Sequence, residues 1–174
     1  MKEYNSVSEP FLADVRAVVG DANVFTEPEK LEQYKTDEEY DPRRFRVPEA
    51  VVRPANAEEI AAVVKLCNKY NVPLTVRSGG TSLADGAIAV CGGIVLLMER
   101  LNKIIEMNTE AMYVVAEAGV RTVDIQKMAN EAGYLYAGDP CSAESCLIGG
   151  NLATNAGGSK AVRYGVTRNQ VYSL

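Results

Sequence analysis

Apolar residues at helical spacing mark the first element. Phe11, Leu12, Val15, Val18 and Val19 fall on one face over residues 8 to 19, and Gly20 is placed to stop the turn, so the stretch predicts an amphipathic helix. Residues 27 to 46 then carry EPEKLEQYK and TDEEYDPRRFR, a charge density that predicts one short helix followed by an exposed, solvated connector. From Val47 the pattern tightens. EAVVRP reads as a short strand stopped by Pro54, and Asn56 is placed to cap a helix with Glu58 and Glu59 in its first turn. Ile60, Val63, Val64 and Cys67 share one face of that helix, which Asn71 and Pro73 end. PLTVR reads as a strand, RSGGTSLADG as a glycine-rich loop, and GIVLLM as a strand buried on both faces, giving a βαβ-like unit with a loop at a strand end. KIIEM and MYVVAEA predict two further strands, and VRTVDIQKMANEAGY a helix with Thr122 as N-cap and Gly133 at its end. Small residues then dominate until a terminal VTRNQVYSL, whose apolar close predicts a strand in an N-terminal fragment of a longer protein.

Composition narrows the chemistry. With 174 residues, 47% of them apolar, the chain can bury a core for one domain or two small lobes. No stretch approaches the roughly 20 uncharged apolar residues that span a bilayer, and MKEYNSVSEP is not a signal peptide, so a cytoplasmic location is expected. A net charge of -5 with no basic run makes nucleic acid a poor partner. The chain has no histidine, which removes the usual general base and the commonest metal ligand. The four cysteines, at 67, 91, 141 and 146, lack CxxC spacing and read as thiols, with Cys67 in the core and Cys141 and Cys146 flanking a turn where they could be exposed. No metal site is expected.

Two glycine-rich stretches remain as candidates. In the first, Arg77, Ser78, Gly79, Gly80, Thr81 and Ser82 lead into Leu83, Ala84, Asp85 and Gly86. Glycines there permit close backbone approach, and successive N–H groups in such a turn form a concave anion site; an ordinary tight loop is the alternative. The loop is neither a Walker A motif nor the GxGxxG of nicotinamide-binding turns. The second runs from 138 to 158, GDPCSAESCLIGGNLATNAGG, and reads as backbone lying against something flat and large, with a small-residue helix packed closely on a strand as the alternative. Lys160 and Arg163 lie nearby and read as surface cations. Two such stretches, each following a strand, suggest a ligand with a diphosphate at one end and a planar ring system at the other.

PLTVRSGGTSLADGAIAV, followed some fifty residues later by AGDPCSAESCLIGGNLATNAGGSKAVRYG, resembles the FAD-binding domain of the p-cresol methylhydroxylase and vanillyl-alcohol oxidase type. Within it, the chain is most similar to the FAD-linked oxidoreductases that include the flavin-binding glycolate oxidase subunit and D-lactate dehydrogenase. EAVVRPANAEEIAAVVKLCNKYNVP fits as well, so the resemblance covers residues 47 to 174 and the leader loosely.

The resemblance implies an α+β, two-lobed fold: a helical leader and connector at 1–46, a first FAD-binding lobe at 47–107, and an incomplete second lobe at 108–174. It implies non-covalent FAD, the absence of histidine excluding a histidyl linkage. Its diphosphate would lie on Arg77, Ser78, Gly79, Gly80, Thr81 and Ser82. Its flavin and ribityl portion would lie along Pro140, Ser142, Gly149, Gly150, Thr154, Asn155, Ala156 and Gly157. Where relatives often have a second glycine pair this chain has Asp85 and Gly86, and the carboxylate is expected to point away or to cap a turn. The parent protein would oxidise a small D-2-hydroxy acid such as lactate or glycolate, with substrate-binding residues in a C-terminal domain beyond this chain. Electrons would pass to an electron-transferring flavoprotein, an iron-sulfur subunit or a quinone, in a complex that could lie against the membrane. No residue here is nominated as acid or base. Two rival readings stand beside it: a non-redox module gripping another phosphorylated ligand, and a complete adaptor whose acidic leader docks a partner.

Overall fold

The computed structural model describes residues 3–39 and 41–174. They form two compact units, Met1–Arg100 and Leu101–Leu174, each a mixture of helix and sheet, as an α+β chain requires.

The first unit is built on a four-stranded sheet. Its strands are β1 (Val24–Phe25), β2 (Ala50–Val52), β3 (Leu74–Arg77) and β4 (Ile94–Leu97), in the order β1-β2-β4-β3. β2, β4 and β3 run parallel, and β1 pairs antiparallel at the β2 edge. Central parallel strands are covered on both faces, and the apolar run of β4 follows from that, because all four of its residues are buried. On one face α1 (Glu9–Val19) contributes Phe11, Leu12, Val15 and Val19, and α3 (Ala57–Tyr70) contributes Val63 and Cys67, against Ala50, Val52, Ile94 and Leu96. On the other face Leu31, from α2 (Pro28–Leu31), and Ala89 cover Val51, Val95 and Leu97. Ala89 belongs to the long connection from β3 to β4, so that connection is anchored by its own small apolar residues.

Local chemistry sets the ends of α3. The Asn56 side chain accepts a hydrogen bond from the Glu59 N–H at 2.8 Å, the Glu59 carboxylate accepts one from the Ala55 N–H at 2.7 Å, and Asn71 takes the left-handed conformation at the far end (φ 53°). Tyr70 then meets the Phe11 ring edge-on at 5.6 Å and donates to Asp14 at 2.8 Å, fixing α1 on α3.

The second unit holds an antiparallel pair, β5 (Ile104–Asn108) and β6 (Tyr113–Ala116), then α4 (Thr122–Glu131), α5 (Ile148–Thr154) and α6 (Ala161–Tyr164). Thr122 is not the cap of α4: Arg121 holds that place in extended conformation, and Thr122 lies fully buried in the first turn. Its hydroxyl accepts from Asn151 Nδ2 at 2.5 Å and lies 3.2 Å from Cys146 Sγ, so the side chain ties α4 to α5 instead of capping its own helix. Cys146 is accordingly buried, against expectation, while Cys141 is exposed. Residues 171–174 form no strand; they pair with nothing in a ladder, and Tyr172 and Leu174 are exposed.

Candidate functional site

In the first unit, β3 delivers Arg77 to the start of the glycine-rich loop. The Arg77 guanidinium turns back under that loop: Nη1 donates to the Thr36 carbonyl at 2.7 Å and to the Ala87 carbonyl at 3.4 Å, and the group lies 5.7 Å from the centre of the Tyr34 ring. Burial is the main influence on its acidity, lowering its pKa by disfavouring the charged form. Gly80 sits directly above, buried, with φ +71°, and a Cβ there would collide with the guanidinium. Glycine is required twice over, by conformation and by space.

The loop's own hydrogen bonds are few. Ser82 Oγ accepts from the Ala84 N–H at 3.1 Å, the Ser82 carbonyl accepts from the Glu38 N–H at 3.0 Å, and the Asp85 carbonyl accepts from the Ile88 N–H at 3.2 Å. Among the described residues, the main-chain N–H groups of Gly79, Gly80, Thr81 and Ser82 have no hydrogen-bond partner. Four successive unpaired donors at a parallel strand's C-terminal end form a cradle of the kind that binds anionic oxygens. Asp85, left-handed at φ 56°, is neutralised by an ion pair with Arg44.

In the second unit, the second glycine-rich stretch is partly helix. α5 begins at Ile148 and carries Gly149 and Gly150 in its first turn. A Cβ on Gly149 would stand 2.8 Å from both the Cβ and the carbonyl oxygen of Ala118, and the Gly149 N–H donates to that carbonyl at 2.9 Å. The close-packed small-residue helix is therefore present here, resting on the segment just after β6. Thr154 donates its hydroxyl to the Gly150 carbonyl at 3.0 Å, and Asn155, left-handed at φ 52°, accepts from the Arg168 N–H at 2.9 Å. Pro140 is buried, its carbonyl accepting from Ala143, and the Ser142 carbonyl accepts from Ser145 and Cys146, making a tight turn. The Ala156 carbonyl accepts from the Thr167 N–H and hydroxyl, at 3.0 and 2.7 Å.

Beyond α5 the backbone opens again. The main-chain N–H groups of Gly157, Gly158, Ser159 and Lys160 have no partner among the described residues. Gly158 crosses Asp139 so closely that a Cβ would collide with its carbonyl. Asp139 is pinned beside this run by Lys160 at 3.2 Å and Ser159 at 3.1 Å, and Lys160 holds its carboxyl below the usual range. Gly158 and Ser159 therefore belong with Gly157, and the glycine pair in the sequence was the signal for them. Lys160 is held in an ion pair, while Arg163 stays exposed, stacked on Tyr164 at 5.1 Å. Gly149 and Asn155 also line a broad apolar groove of about 1560 Å³ in this unit, with Tyr136, Leu152 and Tyr172. No cluster of three His, Cys, Asp or Glu side chains suited to a metal occurs among the described residues.

A family model described as an FAD binding domain matches residues 48–174. The chain belongs to that family. It is 36% identical over 133 residues to the glycolate oxidase subunit GlcD of Bacillus subtilis (strain 168), covering 76% of this chain and 28% of that protein. It is 40% identical over 127 residues to a D-lactate dehydrogenase of Anaerostipes hadrus, covering 73% and 26%. A D-2-hydroxyglutarate dehydrogenase of Stutzerimonas stutzeri (strain A1501) is 36% identical over 169 residues, or 97% and 36%. The chain thus spans about a quarter to a third of the length of these relatives. Among solved structures, p-cresol methylhydroxylase with substrate bound superimposes with a TM-score of 0.71 at 26% identity, over 86% of this chain and 30% of that one. Alkyldihydroxyacetonephosphate synthase shares the fold, with a TM-score of 0.81 at 21% identity over 94% and 35%. The p-cresol methylhydroxylase type of FAD-binding fold read from the glycine-rich stretches is therefore the fold of this chain, and FAD is the cofactor of its family.

Proposed function

We propose that this chain is the FAD-holding part of a dehydrogenase or oxidase acting on a small D-2-hydroxy acid. The observation that carries the reading is the run of four unpaired main-chain donors at Gly79–Ser82, which suits the FAD diphosphate without any basic side chain. The residues fit the group: Thr81 and Ser82 add hydroxyls, Ser78 begins the turn, and Arg77 shapes the loop from beneath. Pro140, Ser142, Gly149, Gly150, Thr154, Asn155, Ala156 and Gly157 are the proposed contacts to the flavin and ribityl portion. Thr154 and Asn155 act there mainly through backbone shape, because their side-chain oxygens are engaged within the unit. FAD, when bound without a covalent link, supplies the hydride-accepting chemistry that converts a 2-hydroxy acid to a 2-oxo acid. The chain's own residues bind and orient the cofactor, and unpaired N–H groups near a flavin would favour the negative charge that reduction brings.

The names of the relatives, a glycolate oxidase subunit, a D-lactate dehydrogenase and a D-2-hydroxyglutarate dehydrogenase, support the substrate class. Substrate-binding and proton-transfer groups are proposed to lie in a domain outside this chain, and an electron-transferring flavoprotein or iron-sulfur subunit to take the electrons in a cytoplasmic complex. No described helix is long and apolar enough to cross a membrane. The test is to load the full-length parent protein with FAD, gel-filter it and read the flavin absorbance, then follow flavin bleaching under anaerobic D-lactate, glycolate and D-2-hydroxyglutarate; this chain alone, lacking the substrate domain, is expected to be inactive. Retained flavin bleached by one of these acids is the expected result. A protein that retains no flavin contradicts the reading.

A further inference from the structure

The charged stretch between α2 and β2 has the composition of a solvated connector, yet it meets the glycine-rich loop at three points. The Thr36 carbonyl accepts from Arg77 at 2.7 Å, the Glu38 N–H donates to the Ser82 carbonyl at 3.0 Å, and Arg44 pairs with Asp85. The stretch is itself braced, by Asp41 on Arg43 at 2.7 Å, by the Asp37 carboxylate accepting from the Glu39 N–H at 3.0 Å, and by the Arg46 N–H on the Lys35 carbonyl at 2.9 Å.

We propose that residues 34–39 and 41–46 form a strap that fixes the glycine-rich loop in its donor-exposing shape, with Arg44 and Asp85 as the positioning pair. The inference rests on the FAD reading for its functional consequence but not for its structural one. A loop with four unpaired donors gains nothing from its own backbone at those positions, so something outside must hold it open. Arg77 closes the loop's base by joining its first residue to the Ala87 carbonyl. The strap fastens its middle at Ser82 and its far shoulder at Asp85. Asp85 has a second task. Its side chain is only 14% exposed and its Oδ1 has no hydrogen-bond partner, so without Arg44 a buried, unpaired carboxylate would sit beside a diphosphate site.

The experiment compares wild type, Arg44→Ala, Arg44→Lys and Asp85→Asn, the last chosen because Asn tolerates the left-handed backbone. Amide hydrogen exchange of the segments holding Glu38 and Ile88 is read alongside FAD affinity by fluorescence titration. Arg44→Ala should speed exchange at both sites and weaken FAD binding by roughly tenfold, the loss expected for a charged hydrogen bond to a part-buried group. Arg44→Lys should recover most of both, and Asp85→Asn should also speed exchange. Unchanged exchange in Arg44→Ala overturns the strap, and so does weaker FAD binding in Arg44→Ala with tighter binding in Asp85→Asn at unaltered exchange, which is a charge effect alone. A wild type that binds no FAD, with exchange still speeded by Arg44→Ala, leaves the strap standing and removes the FAD reading.

Discussion

Gly80 is where loop conformation and loop packing are both most demanding, so Gly80→Ala probes the site's architecture. Alanine at φ +71° carries about 1–2 kcal/mol of backbone strain. Its methyl would also push the Arg77 guanidinium away from the Thr36 and Ala87 carbonyls; losing a charged hydrogen bond of that kind costs about 1.5–3 kcal/mol where the acceptor is left unpaired. The guanidinium ends a flexible side chain and can yield in part, so the sum should fall near 2–4 kcal/mol. Gly86→Ala is the internal control. Gly86 lies in the same loop outside the positive-φ region, and a Cβ there would meet only Ser82 Oγ, at an ordinary 3.5 Å, so its effect should stay within about 0.5 kcal/mol. Urea unfolding followed by circular dichroism gives both values by linear extrapolation. Equal effects from the two substitutions would refute the placement of Arg77 beneath Gly80.

Three further outcomes follow from packing and burial. Leu96→Ala, in the middle of β4 and 1% exposed, should cost about 2–5 kcal/mol in the same assay, whereas Val76→Ala, 52% exposed on β3, should cost under about 1 kcal/mol. Asn56→Ala removes the bond to the Glu59 N–H and should cost about 1 kcal/mol. Burial pushes the Cys67 thiol from 9.0 up to about 11, because a thiolate there would be desolvated. Between pH 9 and about 11 the unfolded chain's thiol ionises while Cys67 stays protonated in the fold, so stability is full below pH 9 and falls as pH rises through about 11. Iodoacetamide at pH 8 should modify Cys91 and Cys141 quickly and spare Cys67 and Cys146 until urea is added, as read by intact mass.

Much of the first unit was legible in the sequence because each of its signals is local. The five apolar residues of α1, the Asn56 cap and the Asn71 stop of α3, and the unbroken apolar run of β4 each state their own environment. What escaped depends on partners distant in the chain. Thr122 looks like a cap until Cys146 and Asn151, over twenty residues on, take its hydroxyl. Val24–Phe25 is too short to show a period of two and exists as a strand only because β2 offers an edge. Residues 34–39 and 41–46 are polar enough to read as solvent-facing, yet Thr36, Glu38 and Arg44 serve the loop at 78–88, which no periodicity reports. The glycine-rich stretches were visible as composition, but composition does not tell an open cradle from a packed helix. Gly149 turned out to be close-packed on Ala118, and Gly157 and Gly158 to open the backbone.

The central claim is that bare backbone at the end of β3 receives a diphosphate, and amide chemical shifts read it directly. In ¹⁵N-labelled protein, saturating FAD and saturating ADP should each move the Gly79, Gly80, Thr81 and Ser82 amide signals downfield, while riboflavin, which lacks phosphate, leaves them in place. Signals at these four positions that stay still under FAD, or that move equally with riboflavin, would contradict it.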